Sequence, residues 1–409
     1  MMAPASTTFL NHAVLCSRVQ EIVQEIGEFI MAGLVDPAPQ NHSAPGIQPT
    51  QPFSCHHTPE LPELIAELGC SLVISTYQAG KLILISSDGE RLTQLPRTFD
   101  TPMGIALDDS RLAVATKSEI VLLASEPRLA ESYPKQPGRY DALFIPRSVH
   151  FCGRLMVHDM VWTEHGLLGV NTLFSCLFRL DPNFSFAPVW TPPFISRLAP
   201  EDRCHLNGIA VVDGEPRYAT ALGESDTAGG WRDGKERGGI LLDVESGETI
   251  LHGLPMPHSP RVYDGDLYVL LSATGEIASV DIERGRYEVI HRVDGFVRGM
   301  ARIGDYLFVT SSRVRKSHTF GDLLLAKTGT AFCGITVLHL PTQAKVGELR
   351  YLRSCEEIYD IQVMPGLHRP GILGLADSTH RRALSLPEQT FWGEGEAATQ
   401  LDGKGSSQS

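Results

Sequence analysis

The sequence predicts an all-β fold, a six-bladed β-propeller with a short N-terminal helical extension. Three observations carry that expectation. Between residues 58 and 387, short apolar runs alternate with Gly-, Asp- and Pro-rich turns, with almost no helical periodicity. One type of segment returns six times: Met103-Gly-Ile-Ala-Leu, Asp159-Met-Val-Trp, Asn207-Gly-Ile-Ala-Val, His258-Ser-Pro-Arg-Val, Arg298-Gly-Met-Ala-Arg and Tyr359-Asp-Ile-Gln-Val. Their starts lie 56, 48, 51, 40 and 61 residues apart, which suits four-stranded units with loops of differing length. Such a unit cannot bury both faces alone, and closing several into a ring does so while leaving only short edges. A β-sandwich, the alternative, does not produce six matched segments at this spacing.

The elements follow in order. Residues 1–57 form an N-terminal extension. Val14 to Leu34 reads as one amphipathic helix, with Val19, Ile22, Val23, Ile26, Phe29 and Ile30 at helical spacing, and Asp36 to His57 as a linker rich in Pro, Gln, Ser and His. The propeller spans residues 58–387. One blade is legible throughout: Arg261-Val, an Asp264-Gly turn, Leu267–Leu271, a Thr274-Gly turn, Ile277–Asp281, a Gly285 turn, then Tyr287–Ile290. The strand at Ser71–Ser75 precedes the first matched segment, so strands from the two ends of the domain are expected to share one blade and close the ring. Residues 388–409, rich in Gly, Ser, Gln and charge, read as a disordered tail.

Composition bounds the partners. The chain has 409 residues, is 42% hydrophobic and 20% charged, and carries a net charge of −13 without a long Lys/Arg run. That argues against a nucleic-acid partner, which needs a clustered basic face. No apolar run approaches the roughly 20 residues of a membrane-spanning helix, and no secretory signal is expected at the N-terminus. The eight cysteines are scattered and form no CxxC pair, which fits reduced thiols in the cytoplasm.

The innermost strand of a propeller blade runs along the central channel. Aligned on the turns that follow them (among them His165-Gly166, Asp213-Gly214 and Asp264-Gly265), the six segments begin with Met103, Asp159, Asn207, His258, Arg298 and Tyr359. The last five are polar or charged and should approach one axis, with His158, His205, Arg261, Glu357 and Asp360 beside them. A metal reading takes His205 and His258 with one of His158, Asp159 or Glu357 as ligands of zinc. An oxygen-richer set of Asp159, Asn207 and Glu357 would suit calcium or magnesium. The competing reading is a hydrated hydrogen-bond network that ties blades together. An anion reading uses the guanidinium forks of Arg261 and Arg298, whose alternative is ion pairing with Asp159, Asp360 or Glu357. His258 can serve as a base near neutral pH. Asp159, Tyr359, Trp231 and Arg232 are the expected ligand contacts, the last two on the long Gly-rich loop Gly223–Gly239, which reads equally as a lid over a ligand or as an ordinary surface excursion. A second long loop runs from Arg313 to Thr330. Glu201-Asp202 precedes His205 and could orient it. Cys204, next to His205, should face away from the channel, because strand neighbours alternate. Tyr77-Gln-Ala-Gly-Lys81 is read as a hairpin turn or bulge, with a channel-mouth contact as the alternative.

The strings STYQAGKL (75–82), HDMVW (158–162), NTLFSCLFRLD (171–181), EDRCHLNGIA (201–210), GGWRDGKERGG (229–239), MPHSPR (256–261), RGMA (298–301) and EIYDIQVMPG (357–366) resemble an uncharacterised bacterial family of conserved hypothetical proteins. Some of its members are fused to tetratricopeptide repeats, which implies a tetratricopeptide-repeat protein as a partner. A more distant similarity is to gluconolactonase, senescence-marker and NHL-type propellers. His205-Leu-Asn207-Gly-Ile-Ala looks like the gluconolactonase Asn-Gly segment, which implies Asn207 as a metal ligand. One blade later His258-Ser-Pro-Arg stands where that family has Asp. Peptide-amidating lyases, propellers with axial His ligands on zinc, are an equally close analogy for His205 and His258.

These features lead to two expectations. The first is a binding module that takes a small molecule, glycan or peptide at the channel mouth. The second is a metal-assisted hydrolase or lyase. Its single zinc or calcium ion would be held by His205, Asn207, His258 and Glu357, with Arg261 or Arg298 clamping an anionic group.

Overall fold

Turns fix the register of each blade, and two of them show how. Asp213-Gly214 and Asp264-Gly265 have positive φ at both residues, 51° and 79° in one and 53° and 89° in the other. That two-residue turn matches the twist of the strands it joins and favours Asp-Gly. It pairs Val212 with Glu215 and Tyr263 with Asp266, which places the apolar residues of both strands on common faces. The computed structural model describes residues 52–314 and 329–394, with residues 325 and 327. The predicted helix Val14–Leu34, the linker as far as residue 51, most of the 313–330 loop and the tail beyond residue 394 lie outside the described residues.

Six small sheets form the ring, each an antiparallel meander around an inner strand. Blade 1 consists of Asp360–Pro365, Cys70–Thr76, Lys81–Ser87 and Leu92–Thr98. Its inner strand thus comes from the C-terminal side and pairs Asp360 with Ser75 and Pro365 with Cys70, the expected ring closure. The inner strands of blades 2 to 6 are Ile105–Leu107, Val157–Thr163, Leu206–Val212, Pro257–Tyr263 and Phe296–Ile303. The core lies between blades. Leu241, Leu251 and Leu254 of blade 4, for example, pack with Leu267, Val269 and Leu271 of blade 5. Inner strands also approach closely: a Cβ on Gly299 would lie 2.8 Å from the Asp360 Cα of the next blade.

Both ends of the propeller extend further than expected. Cys55–His57, assigned to the linker, is a strand that pairs with Leu349–Tyr351 on the outer edge of blade 6. Gly371–Ile372 adds a parallel strand to Leu143 and Phe144 on blade 2. A hairpin of Ala383–Ser385 and Thr390–Trp392 runs past the expected start of the tail. Trp392 anchors it, donating to Leu129 O at 3.2 Å and packing 5.6 Å from the Tyr133 ring. One half-buried aromatic residue outweighs the polar composition around it. Among the described residues, no helix is long and apolar enough to cross a membrane.

Candidate functional site

The channel residues group by their partners, and the grouping corrects the sequence alignment by one residue in blade 3. His158 Nδ1 contacts Met156 O at 2.9 Å and Thr172 Oγ1 at 2.7 Å. His258 Nδ1 contacts Met256 O at 3.1 Å and Ser272 Oγ at 2.8 Å. The two histidines are therefore structural equivalents, and His158, not Asp159, belongs with Asn207, His258 and Arg298. The cause is the turn. Blade 3 pairs Thr163 with Gly166, so its hairpin turn is Glu164-His165 rather than His165-Gly166.

Asp159 and Asp360 form a second equivalent pair, one step deeper in the channel. Each accepts from its own following amide and from an inner-strand amide of the next blade: Ile209 to Asp159 at 3.1 Å, Ile105 to Asp360 at 2.9 Å. The Arg261 fork reaches across to Asp159 with bonds of 2.8 and 3.0 Å. Burial and the neighbouring Asp159 charge raise the Asp360 pKa to about 7. Arg261, expected as an anion clamp, lines a separate cavity of about 240 Å³ at the opposite mouth, with Tyr263 and Arg302. Asp159, expected as a ligand contact, is held by Arg261 and backbone instead. Both expectations underestimated how strongly buried charges seek each other.

The mouth itself is a cavity of about 460 Å³. Tyr77, His158, His205, Trp231 and Tyr359 supply its flat faces. Lys117, Arg154, Arg232 and Arg298 supply positive charge, and among the described residues no Asp or Glu lines it. Loops between second and third strands bring Tyr77, Lys117, Trp231 and Arg232, while inner-strand entries bring the rest. The Tyr77–Lys81 segment is thus both a hairpin turn and a mouth contact.

Asp202 organises one wall. Its Oδ1 lies 2.8 Å from His205 Nδ1, and its Oδ2 accepts from Trp231 Nε1 at 2.9 Å and Arg232 Nη2 at 3.1 Å. The Trp231 ring sits 4.4 Å from His205, and the Arg232 guanidinium lies 4.5 Å above Trp231. The Gly223–Gly239 loop, read as a lid or a surface excursion, is therefore an anchored wall. Opposite it, Arg298 pairs with Glu357 at 3.3 Å and covers the Tyr359 ring at 4.3 Å. Tyr359 is stacked with Tyr77 at 5.8 Å.

The remaining expected ligands are held apart. Asn207 accepts from Thr220 at 2.8 Å and donates to Pro257 O at 2.9 Å, joining blades 4 and 5. Glu357 faces Arg298. His258 is buried and is not part of the cavity lining, which places it away from the base role expected of it. Burial first, then nearby cationic or imidazole groups, holds the pKa values of His158 and His258 well below the ordinary imidazole value. Both are neutral at pH 7. Cys204 is buried and faces Ser175, away from the channel, and burial pushes its thiol up to about 12. Lys117 and Arg154 escaped the sequence reading, because neither belongs to the repeated segment. Arg154 stands four residues before His158, and Lys117 lies in the turn between two strands of blade 2.

The fold and site together define a six-bladed propeller with a cationic, aromatic-walled channel mouth. The chain belongs to the family described as Domain of unknown function (DUF4915), which it matches over residues 59–373. No curated protein matches the chain in sequence. Among solved structures, a chain from the "Crystal structure of Nidogen/Laminin Complex" is similar at a TM-score of 0.48 and 9% identity, covering 73% of this chain and 99% of that one.

Proposed function

We propose that the channel mouth binds a small anionic ligand, one bearing a carboxylate or phosphate on a body that stacks against aromatic rings. One observation carries this reading: among the described residues, four cationic side chains and no carboxylate line the cavity of a chain whose net charge is −13. Guanidinium groups match carboxylate and phosphate oxygens in pairs, and Tyr and Trp faces take a ring or chain between them. A glycan or peptide would use the same groups through its acidic positions. Binding without catalysis is the simplest form of this function. The Asp202–His205 contact favours a hydrolase or lyase as the second form, since it fixes one imidazole edge and leaves the other toward the cavity. A cytoplasmic setting accords with the free cysteines among the described residues. A tetratricopeptide-repeat partner rests on the sequence resemblance.

A thermal-shift comparison of charged and neutral analogues tests the proposal. Galacturonate and inorganic phosphate should raise the melting temperature, galactose should not, and the rise should vanish in Lys117→Glu/Arg154→Glu. Both residues are exposed, so the charge reversal leaves the core intact. Equal shifts from galactose and galacturonate would sink the anion reading.

A further inference from the structure

Two imidazoles that line the mouth, His158 and His205, and a third buried beside them, His258, share a feature that anion binding alone does not require. His158 Nδ1 faces Met156 O, and a carbonyl oxygen only accepts, so the proton sits on Nδ1. The Thr172 hydroxyl beside it already donates to Leu206 O and can only accept from the ring. His258 repeats the device, with Met256 O and a Ser272 hydroxyl that donates to Val297 O. His205 Nδ1 faces Asp202, a carboxylate that also accepts from Trp231 and Arg232. Each of the three rings therefore has its Nδ1 edge taken and is left with Nε2 to meet a ligand. The Nε2 of His258 is fully buried and has no hydrogen-bond partner among the described residues.

Imidazoles fixed through Nδ1–H by a carbonyl or carboxylate, with Nε2 left open, are set as metal ligands are. We propose that His158, His205 and His258 form a site for one divalent transition metal of the zinc class at the floor of the cavity. The proposal deepens the anion reading and rests on it: three neutral nitrogen ligands leave a coordination position open to an anionic ligand or water. It replaces Asn207 and Glu357 in the expected ligand set with His158.

The distances say what binding must do. With metal–nitrogen bonds of about 2.0–2.1 Å, tetrahedral geometry puts imidazole centroids about 5 Å apart. His158 and His205 are 4.8 Å apart, while His158 and His258 are 6.5 Å apart. As the side chains stand, no three His, Cys, Asp or Glu among the described residues are close enough to share an ion. Metal binding draws His258 inward and gives its unmatched nitrogen a partner. The Arg298 charge opposes a cation here, and its ion pair with Glu357 offsets that opposition.

The test uses the tag-free full chain after chelator treatment, titrated with Zn²⁺ by calorimetry and with Co²⁺ by absorption spectroscopy. One saturable equivalent of Zn²⁺ and a tetrahedral Co²⁺ spectrum are expected. Affinity should fall about 10–100-fold in Asp202→Asn, which loosens one ligand, and further in His158→Ala. Circular dichroism of each variant separates loss of a ligand from loss of the fold. The Co²⁺ spectrum of the unmodified chain decides the matter even if a variant fails to fold. No saturable binding, an octahedral Co²⁺ spectrum, or undiminished binding in a folded His158→Ala/His205→Ala variant would overturn the site. Phosphate titration of the metal-free chain separates the two claims. Phosphate binding without zinc binding leaves the anion reading standing and removes this one.

Discussion

Asp159 and Asp360 occupy equivalent positions, yet their surroundings give them opposite roles. Asp159 accepts both arms of Arg261, so removing its charge strands a buried guanidinium. Asp159→Asn is expected to lower stability by about 3–5 kcal/mol in urea unfolding, and Arg261→Met added to it to restore much of the loss. Asp360 pairs with no arginine among the described residues, and burial beside Asp159 raises its pKa to about 7. An unfolded aspartate titrates near its ordinary value of about 3.9. Between those two values the folded state binds a proton that the unfolded state has released, so stability falls as pH rises from about 4 to about 7 and levels off above. Asp360→Asn should flatten that part of the pH–stability curve, and an unchanged slope would show that other groups cause it. Residue-scale legibility was uneven. Asp202 beside His205 was found from chain proximity alone. The His158/Asp159 register was lost because a Glu-His turn carries none of the Asp-Gly signal that marked its counterparts.

At the scale of elements, four blades share one local device. The residues two positions before Met103, His158, Asn207 and His258 all take left-handed φ: Thr101 at 52°, Met156 at 57°, His205 at 54° and Met256 at 55°. Non-glycine residues, Thr above all, resist that conformation, and its recurrence at one mouth marks strain concentrated at the site. It explains why His205 faces the cavity from a different register than His158 and His258. Sequence periodicity does not report φ, so this was invisible beforehand. The Gly223–Gly239 loop was noticed for its length and its Trp-Arg pair, and what fixes it is buried Trp231 together with Arg203, which pairs with Asp226. Trp231→Ala should cost about 3–5 kcal/mol, as large-to-small changes at buried aromatic positions do. It should also open the loop to limited proteolysis between Gly223 and Gly239. Unchanged cleavage would show the loop to be held from elsewhere. The short edge strands Cys55–His57 and Thr390–Trp392 went unread because half-exposed edges carry weak apolar alternation.

For the whole molecule, blade number and ring closure were legible because repetition constrains them: six matched segments and a leading strand in need of a partner. The site was less so. Propeller geometry says which segments converge, but not which converging charges neutralise each other and which stay available. Arg261 and Arg298 looked alike in sequence. Both are paired, Arg261 with Asp159 and Arg298 with Glu357, but only Arg298 lines the mouth that also carries Lys117, Arg154 and Arg232. What emerges is a negatively charged body that keeps a patch of opposite sign at one end of its axis. Such a patch attracts small anions in a manner that salt weakens. Titration of the unmodified chain and of Lys117→Glu/Arg154→Glu with inorganic phosphate, by calorimetry at low and high ionic strength, tests this most directly. Saturable binding that weakens with salt and falls at least about tenfold in the charge-reversed variant is the expected result, equivalent to roughly 1.4 kcal/mol. Phosphate affinity that is the same in both proteins, or undetectable in the unmodified chain at low salt, would contradict an anion-binding mouth.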